Sequence, residues 1–210
     1  MQNLTVIPHA LAQDRLTWLR ARETTRSEFA TRLRQLSLLL ASQAAADLPL
    51  DPVDVHTPLE STRGARLQGG LTIVPILRAA LGMLDAFREI VPEARIGHLG
   101  LVRNEQTLAA ELYLQRLPAD LAQDTVWLID PMLATGHSAG AALSVLKAAG
   151  ARSIRMICCL AAPEGVEYLA QTHSDVPILA AALDRELNER GYILPGLGDA
   201  GDRQFGTDSA

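Results

Sequence analysis

Residues 128–140 read LIDPMLATGHSAG. An apolar run stops at an acid, Asp130, a loop of small residues follows, and an alanine-rich helical pattern starts at Ser138. In an open parallel sheet, ligands bind outside the carboxyl ends of the strands. A helix start there offers unpaired N–H groups and the positive end of a dipole, which suits a phosphate. Small residues let the backbone come close, and Thr135 and Ser138 add hydroxyl donors. Asp130, a few residues upstream, points beside the phosphate, where a carboxylate fits ribose hydroxyls or a magnesium ion bridging them. The loop lacks the Gly-Lys-Ser/Thr ending of a Walker A loop and the three glycines of a dinucleotide fingerprint. The plainer reading is an ordinary strand-loop-helix with Ser138 as N-cap. On local residues alone both readings stand, and the phosphate site is the better fit.

The flanking sequence sets that unit in a larger pattern. Short apolar runs recur at 71–75, 96–102, 125–130, 154–162 and 177–183. Helical patterns lie between them, at 78–91, 138–151 and 164–174. Continuous apolar strands alternating with helices give an α/β fold with a parallel sheet covered on both faces. Segment 108–118 (LAAELYLQRLP) alternates polar and apolar and reads as a hairpin arm, and 52–58 reads as a short strand. Residues 14–46 contain no proline or glycine and read as helix, with Leu33, Leu36, Leu40 and Ala44 on one face. The tail carries glycine at 191, 196, 198, 201 and 206, which rules out a long regular element.

Composition narrows the function classes. The 210 residues are 48% hydrophobic, enough for one sizeable core, and the net charge is −5. That charge argues against a partner held by its nucleic-acid backbone. The two cysteines, Cys158 and Cys159, are adjacent, a spacing that suits neither a zinc site nor a disulfide framework. No apolar run reaches the ~18 residues a membrane helix needs, and the N-terminal stretch lacks the pattern of a secretory signal. The expectation is a soluble cytoplasmic protein without a membrane partner.

DPMLATGHS (130–138) resembles the phosphoribosyl-pyrophosphate (PRPP) loop of the phosphoribosyltransferases. Together with VPILRAALGM (74–83) and GYILPGLGDAGD (191–202), it resembles uracil phosphoribosyltransferase across nearly the whole chain. The segments TPL (57–59), RNEQTL (103–108) and AAPEG (161–165) extend the likeness. The resemblance implies a Rossmann-like phosphoribosyltransferase core with a hairpin arm and a C-terminal base-binding hood. It implies one domain, with a helical region over about 10–47, a core over about 53–183 and a uracil-binding tail over 184–210. The implied reaction converts uracil and PRPP to UMP and diphosphate, a pyrimidine-salvage step, with Mg2+ carried through PRPP rather than by a protein site of its own.

Site residues follow from the same resemblance. Arg78 and Arg103, each at a strand end, bind PRPP, with Arg78 on the pyrophosphate. Asp130, Pro131, Met132, Leu133, Ala134, Thr135, Gly136, His137 and Ser138 cradle the 5′-phosphate and ribose. Ile193, Gly198, Asp199 and Ala200 contact uracil through the main chain, and Asp199 also faces PRPP or its metal. Asp130, Arg78 and Asp199 are the catalytic set. Backbone amides and carbonyls can match uracil's two carbonyls and its N3–H, which gives a glycine-rich tail a purpose. The sequence departs from the family at His137, where a glycine is usual, and at Val102, where an aromatic is usual. A φ above zero at His137 would cost roughly 1–2 kcal/mol. Family members form dimers and, in some cases, GTP-responsive tetramers, so a homodimer or homotetramer and a GTP effector belong to the expectation. No GTP site is legible in the sequence. The alternatives are an RNA-binding regulator of pyrimidine genes on the same fold, a non-catalytic nucleotide-binding subunit, and a phosphoribosyltransferase for another base.

Overall fold

The computed structural model describes residues 3–103 and 110–207. In chain order the elements are β1 (Leu4–Val6), α1 (Ala10–Arg20), α2 (Arg26–Ala45), β2 (Leu50–His56), β3 (Ser61–Leu67) and β4 (Gly70–Leu77). Then come α3 (Leu81–Ile90), β5 (Arg95–Ile96), β6 (His98–Arg103), β7 (Ala110–Arg116), β8 (Asp124–Ile129) and β9 (Met132–Leu133). The chain continues through α4 (His137–Ala148), β10 (Ser153–Ala161), α5 (Pro163–Thr172), β11 (Ile178–Leu183), β12 (Glu186–Leu187), β13 (Ile193–Leu194) and α6 (Ala200–Phe205).

The main sheet runs β1-β11-β10-β8-β4-β6-β7, with β5 on β4 and β9 on β10. Every pairing in it is parallel except β6 with β7, which forms the expected antiparallel arm. Residues 104–109 and the side chain of Arg103 lie outside the described residues.

Period-2 geometry explains why the central strands read as unbroken apolar runs. Ile73, Trp127, Ile129, Ile157 and Cys159 face one layer, where they pack with Leu16, Phe29 and Leu33 of α1 and α2. Val74, Val126, Leu128, Met156 and Cys158 face the other, against Leu143 and Leu146 of α4 and Val166 and Leu169 of α5. The paired cysteines therefore point to opposite faces of β10, both fully buried. Burial holds the Cys158 thiol well above its ordinary range, with smaller contributions from Cys159 and Asp130.

Two expectations need correction. Residues 14–46 do not form one helix. The chain breaks after Arg20 and restarts at Arg26, because Thr25 and Glu28 form a capping box. The Thr25 N–H donates to Glu28 Oε2 at 3.0 Å, and the Glu28 N–H donates to Thr25 Oγ1 at 3.4 Å. The strand expected at 52–58 is β2, but its partner β3 (STRGARL) carries no apolar run and was not foreseen. This hairpin lies away from both cores, so neither strand needed an apolar face. The glycine-rich tail is ordered, with β12 and β13 as a short ladder and α6 after it.

Candidate active site

Three of the candidate residues sit at the carboxyl ends of parallel strands. Arg78 directly follows β4, Arg103 closes β6, and Asp130 directly follows β8. Arg78 is exposed and has no ion-pair partner among the described residues. The loop after Asp130 is fixed from below by the sheet. The Pro131 carbonyl accepts from the Cys159 and Leu160 N–H groups at 3.0 and 3.1 Å, and the Leu133 carbonyl accepts from Ala162 N–H at 2.9 Å. Pro131 and Leu133 thus turn inward, and Leu133 belongs to the core beneath α4.

Helix α4 starts at His137, one residue earlier than the Ser138 start expected. Its N-cap is Gly136 at φ 83°, and no side chain caps it. The His137 N–H donates to Thr135 Oγ1 at 3.5 Å, and the remaining first-turn donors suit an anion. The left-handed residue is the glycine, so the departure at His137 carries no backbone strain. The exposed His137 ring packs edge-on against Tyr168 of α5, with centroids 4.9 Å apart. A Cβ at Gly136 would stand 2.8 Å from the Tyr168 ring and 3.0 Å from the Gly165 carbonyl oxygen.

A cavity of about 340 Å³ opens in front of this loop. Asp130, Met132 and Ala134 line one side. Ile193, Gly198, Asp199 and Ala200 line the other, so the structure brings together seven of the residues expected from the sequence. Thr135, Gly136, His137, Ser138 and Arg78 lie outside this cavity's lining. Ala79, Arg190, Gly191, Tyr192 and Gly201 also line it and were not singled out. Arg190 belongs to that wall. Its N–H and that of Tyr192 both donate to Asn188 Oδ1, at 3.0 and 2.9 Å, which shapes the turn. An Asn two residues before Arg190 was the available signal.

Asp130 keeps part of its surface open to the cavity. Burial on its other sides pushes its carboxyl up to about 8, the Met132 N–H pulls it down, and the Asp199 charge adds to the rise. Asp199 is exposed and is the N-cap of α6, where its Oδ1 accepts from Asp202 N–H at 2.9 Å. Among the described residues no three metal-ligating side chains stand together. Two carboxylates on one cavity do suit a hard cation that keeps most of its oxygen ligands from a phosphate-bearing substrate.

The hood is tied back to the N-terminal helices. Arg20 grips Asp184 with two bonds, at 2.7 and 2.6 Å, and also donates to the Gly196 carbonyl at 2.9 Å. The Gly196 N–H donates to Asp184 Oδ2 at 2.9 Å. Arg203 donates to the carbonyls of Leu19, Leu197 and Ala21 while stacking over Phe29. Gln204 donates to the Ala79 carbonyl at 2.6 Å.

The uracil phosphoribosyltransferase family model matches residues 6–207. The chain belongs to the uracil phosphoribosyltransferase family. The uracil phosphoribosyltransferase of Acidovorax sp. (strain JS42) is 49% identical over 208 residues, covering 99% of this chain and 100% of the relative. That of Streptococcus equi subsp. zooepidemicus is 48% identical over the same span. Among solved structures, the AQ2163 protein of Aquifex aeolicus superposes with a TM-score of 0.93 at 33% identity, covering 99% of this chain and 100% of the other. Membership of this family agrees with the mostly parallel sheet flanked by helices, with the loop after β8 and the hood on opposite sides of one cavity.

Proposed function

We propose that the chain transfers the 5-phosphoribosyl group of PRPP to uracil, giving UMP and diphosphate. The observation that carries the reading is the single cavity with the Asp130 loop on one wall and the Ile193–Ala200 stretch on the other. One wall suits a phosphorylated ribose and the other a flat polar base, so the two reacting atoms meet between them. The bond from C1′ to the pyrophosphate oxygen breaks, the bond from C1′ to uracil N1 forms, and the N1 proton is released. C1′ gains positive character as the leaving group gains negative charge. The residues therefore act by positioning and charge stabilisation.

In this reading Arg78 binds the pyrophosphate and Arg103 binds PRPP. The 131–138 backbone, with Thr135 and Ser138, holds the 5′-phosphate at the uncapped start of α4. Asp130 accepts from the ribose hydroxyls. Ile193, Gly198 and Ala200 meet uracil through main-chain groups, and Asp199 turns its unused oxygen to the PRPP side. Mg2+ would be held mainly by PRPP, facing Asp130 and Asp199, and would neutralise leaving-group charge. The chain works as one domain, as a homo-oligomer in the cytoplasm.

The test is a base panel with PRPP and magnesium: uracil, cytosine, hypoxanthine and adenine, scoring nucleotide formed. UMP as the dominant product is the expected result. A different nucleotide, or none, overturns the reading. Adding GTP at fixed PRPP tests it as an effector, and an unchanged rate removes it from the picture.

A further inference from the structure

The first turn of α5 touches both walls of the cavity through consecutive residues. At Gly165 there is no room for a side chain. A Cβ there would overlap the Ala134 carbonyl oxygen and stand 3.0 Å from the Leu133 carbonyl oxygen. Both obstacles are backbone, so neither can swing aside. Both belong to the phosphate loop, and Ala134 lines the cavity. Tyr168, one turn later on the same face, packs under Gly136 and Gly140, where a Cβ would come within 2.8 Å of its ring.

The residue before Gly165 reaches the other way. Glu164 Oε1 accepts from the Leu187 N–H at 2.8 Å. Leu187 is the direct partner of Ile193 in the β12–β13 ladder, and Ile193 lines the base side of the cavity. Glu164 has no contact with the cavity itself. Its position transmits through one hydrogen bond and one strand pair.

We propose that Glu164 and Gly165 are positioning residues that set the spacing between the two substrates: Gly165 seats the phosphate loop, and Glu164 seats Ile193 through Leu187. The inference rests on the proposed phosphoribosyl transfer. A short strut of this kind places a base and a ribose at a fixed approach distance, where misplacement by about 1 Å can cost 10²-fold in rate. The two residues should separate kinetically, because each holds a different wall.

The experiment compares Glu164→Ala, Glu164→Gln and Gly165→Ala with the unaltered protein, measuring KM for each substrate, kcat and Tm. Glu164→Ala is expected to raise KM for uracil by about fivefold and to leave KM for PRPP within about twofold. Glu164→Gln keeps a carbonyl acceptor at the same reach and should restore the uracil KM to near the unaltered value. Gly165→Ala is expected to raise KM for PRPP by about tenfold with a smaller change for uracil. An unchanged uracil KM in Glu164→Ala, or equal rises for both substrates, overturns the proposal. So does a Tm drop without a kinetic split. If Gly165→Ala does not fold, the Glu164 pair decides alone. An unaltered protein that makes no UMP would instead overturn the proposed reaction, and that outcome is read before any variant.

Discussion

At the scale of single residues, Asp130 in the loop after β8 carries a cost to folding. Its carboxyl titrates at about 8 in the folded protein, against about 3.9 in an unfolded chain. The folded state therefore keeps a proton that the unfolded state releases, and the group lowers stability as pH rises from about 4 to 8. Asp130→Asn abolishes that dependence. Its Tm should exceed that of the unaltered protein by a margin that widens across this window and levels off above it. Each kcal/mol corresponds to about 2–4 °C for a chain of this size. The same variant should lose most of its kcat/KM for PRPP above about pH 8, where the carboxylate is ionised and one charge-assisted contact is worth about 1.5–3 kcal/mol. Flat Tm differences, or near-normal kinetics, would detach Asp130 from these roles. The next test lies six residues on. Gly136 holds φ 83° against Tyr168 and the Gly165 carbonyl. Gly136→Ala should cost about 1–2 kcal/mol of stability and raise KM for PRPP. His137→Gly, where φ is not positive, should stay within about threefold in activity, because the backbone donors remain. Steady-state kinetics with thermal melts on the pair separate the two positions.

At the scale of elements, the tie between α1 and the hood is the most exposed to a single change. The Asp184 side chain is 5% exposed and sits between two Arg20 nitrogens. Arg20→Ala leaves that carboxylate enclosed with, among the described residues, the Gly196 N–H as the remaining donor to its side chain at 2.9 Å. The expected loss is about 3 kcal/mol, read by chemical denaturation, with a raised KM for uracil as β13 shifts. A variant as stable as the unaltered protein would show the pair to be dispensable. Deleting the chain from Tyr192 onward is a blunter probe, because Ile193, Leu197 and Ala200 belong to the same core as Leu16 and Phe29. Which elements were legible follows from such packing. β4, β8 and β10 announced themselves because both of their faces are buried. β3 did not, because its residues face solvent. The Thr25–Glu28 box stands in the sequence as T-R-S-E, but the apolar stripe that continues across the break masks it. The Asp130 side of the site was legible from a strand end, small residues and a helix start. Arg190 and Tyr192 were not, since their approach to the cavity depends on how Asn188 folds the turn.

At the scale of the whole molecule, charge and layering point the same way. A net charge of −5 and a cavity of about 340 Å³ do not provide a track for a phosphate backbone. A gel-shift with pyrimidine-operon leader RNA at physiological salt should show no complex. A shifted band that weakens steeply with added salt would revive the regulator reading. No helix among the described residues is long and apolar enough to cross a membrane. The two hydrophobic layers instead close on the two faces of one sheet.

The strapping of the hood to α1 also orders events in time. Arg203 meets the Leu19 and Ala21 carbonyls across 184 and 182 positions of chain, and Arg20 meets Asp184 across 164. A ribosome makes the first partners of these bonds early and the last ones late. Until Arg203 has emerged, Phe29 lacks the guanidinium that lies over its ring, and the wall of the cavity that residues 190–201 supply is incomplete. Contacts of such long range close slowly. A nascent chain halted before the hood would therefore carry the loop after β8 but not the opposite wall of the cavity, and α1 and α2 would present uncovered apolar surface to any chaperone nearby.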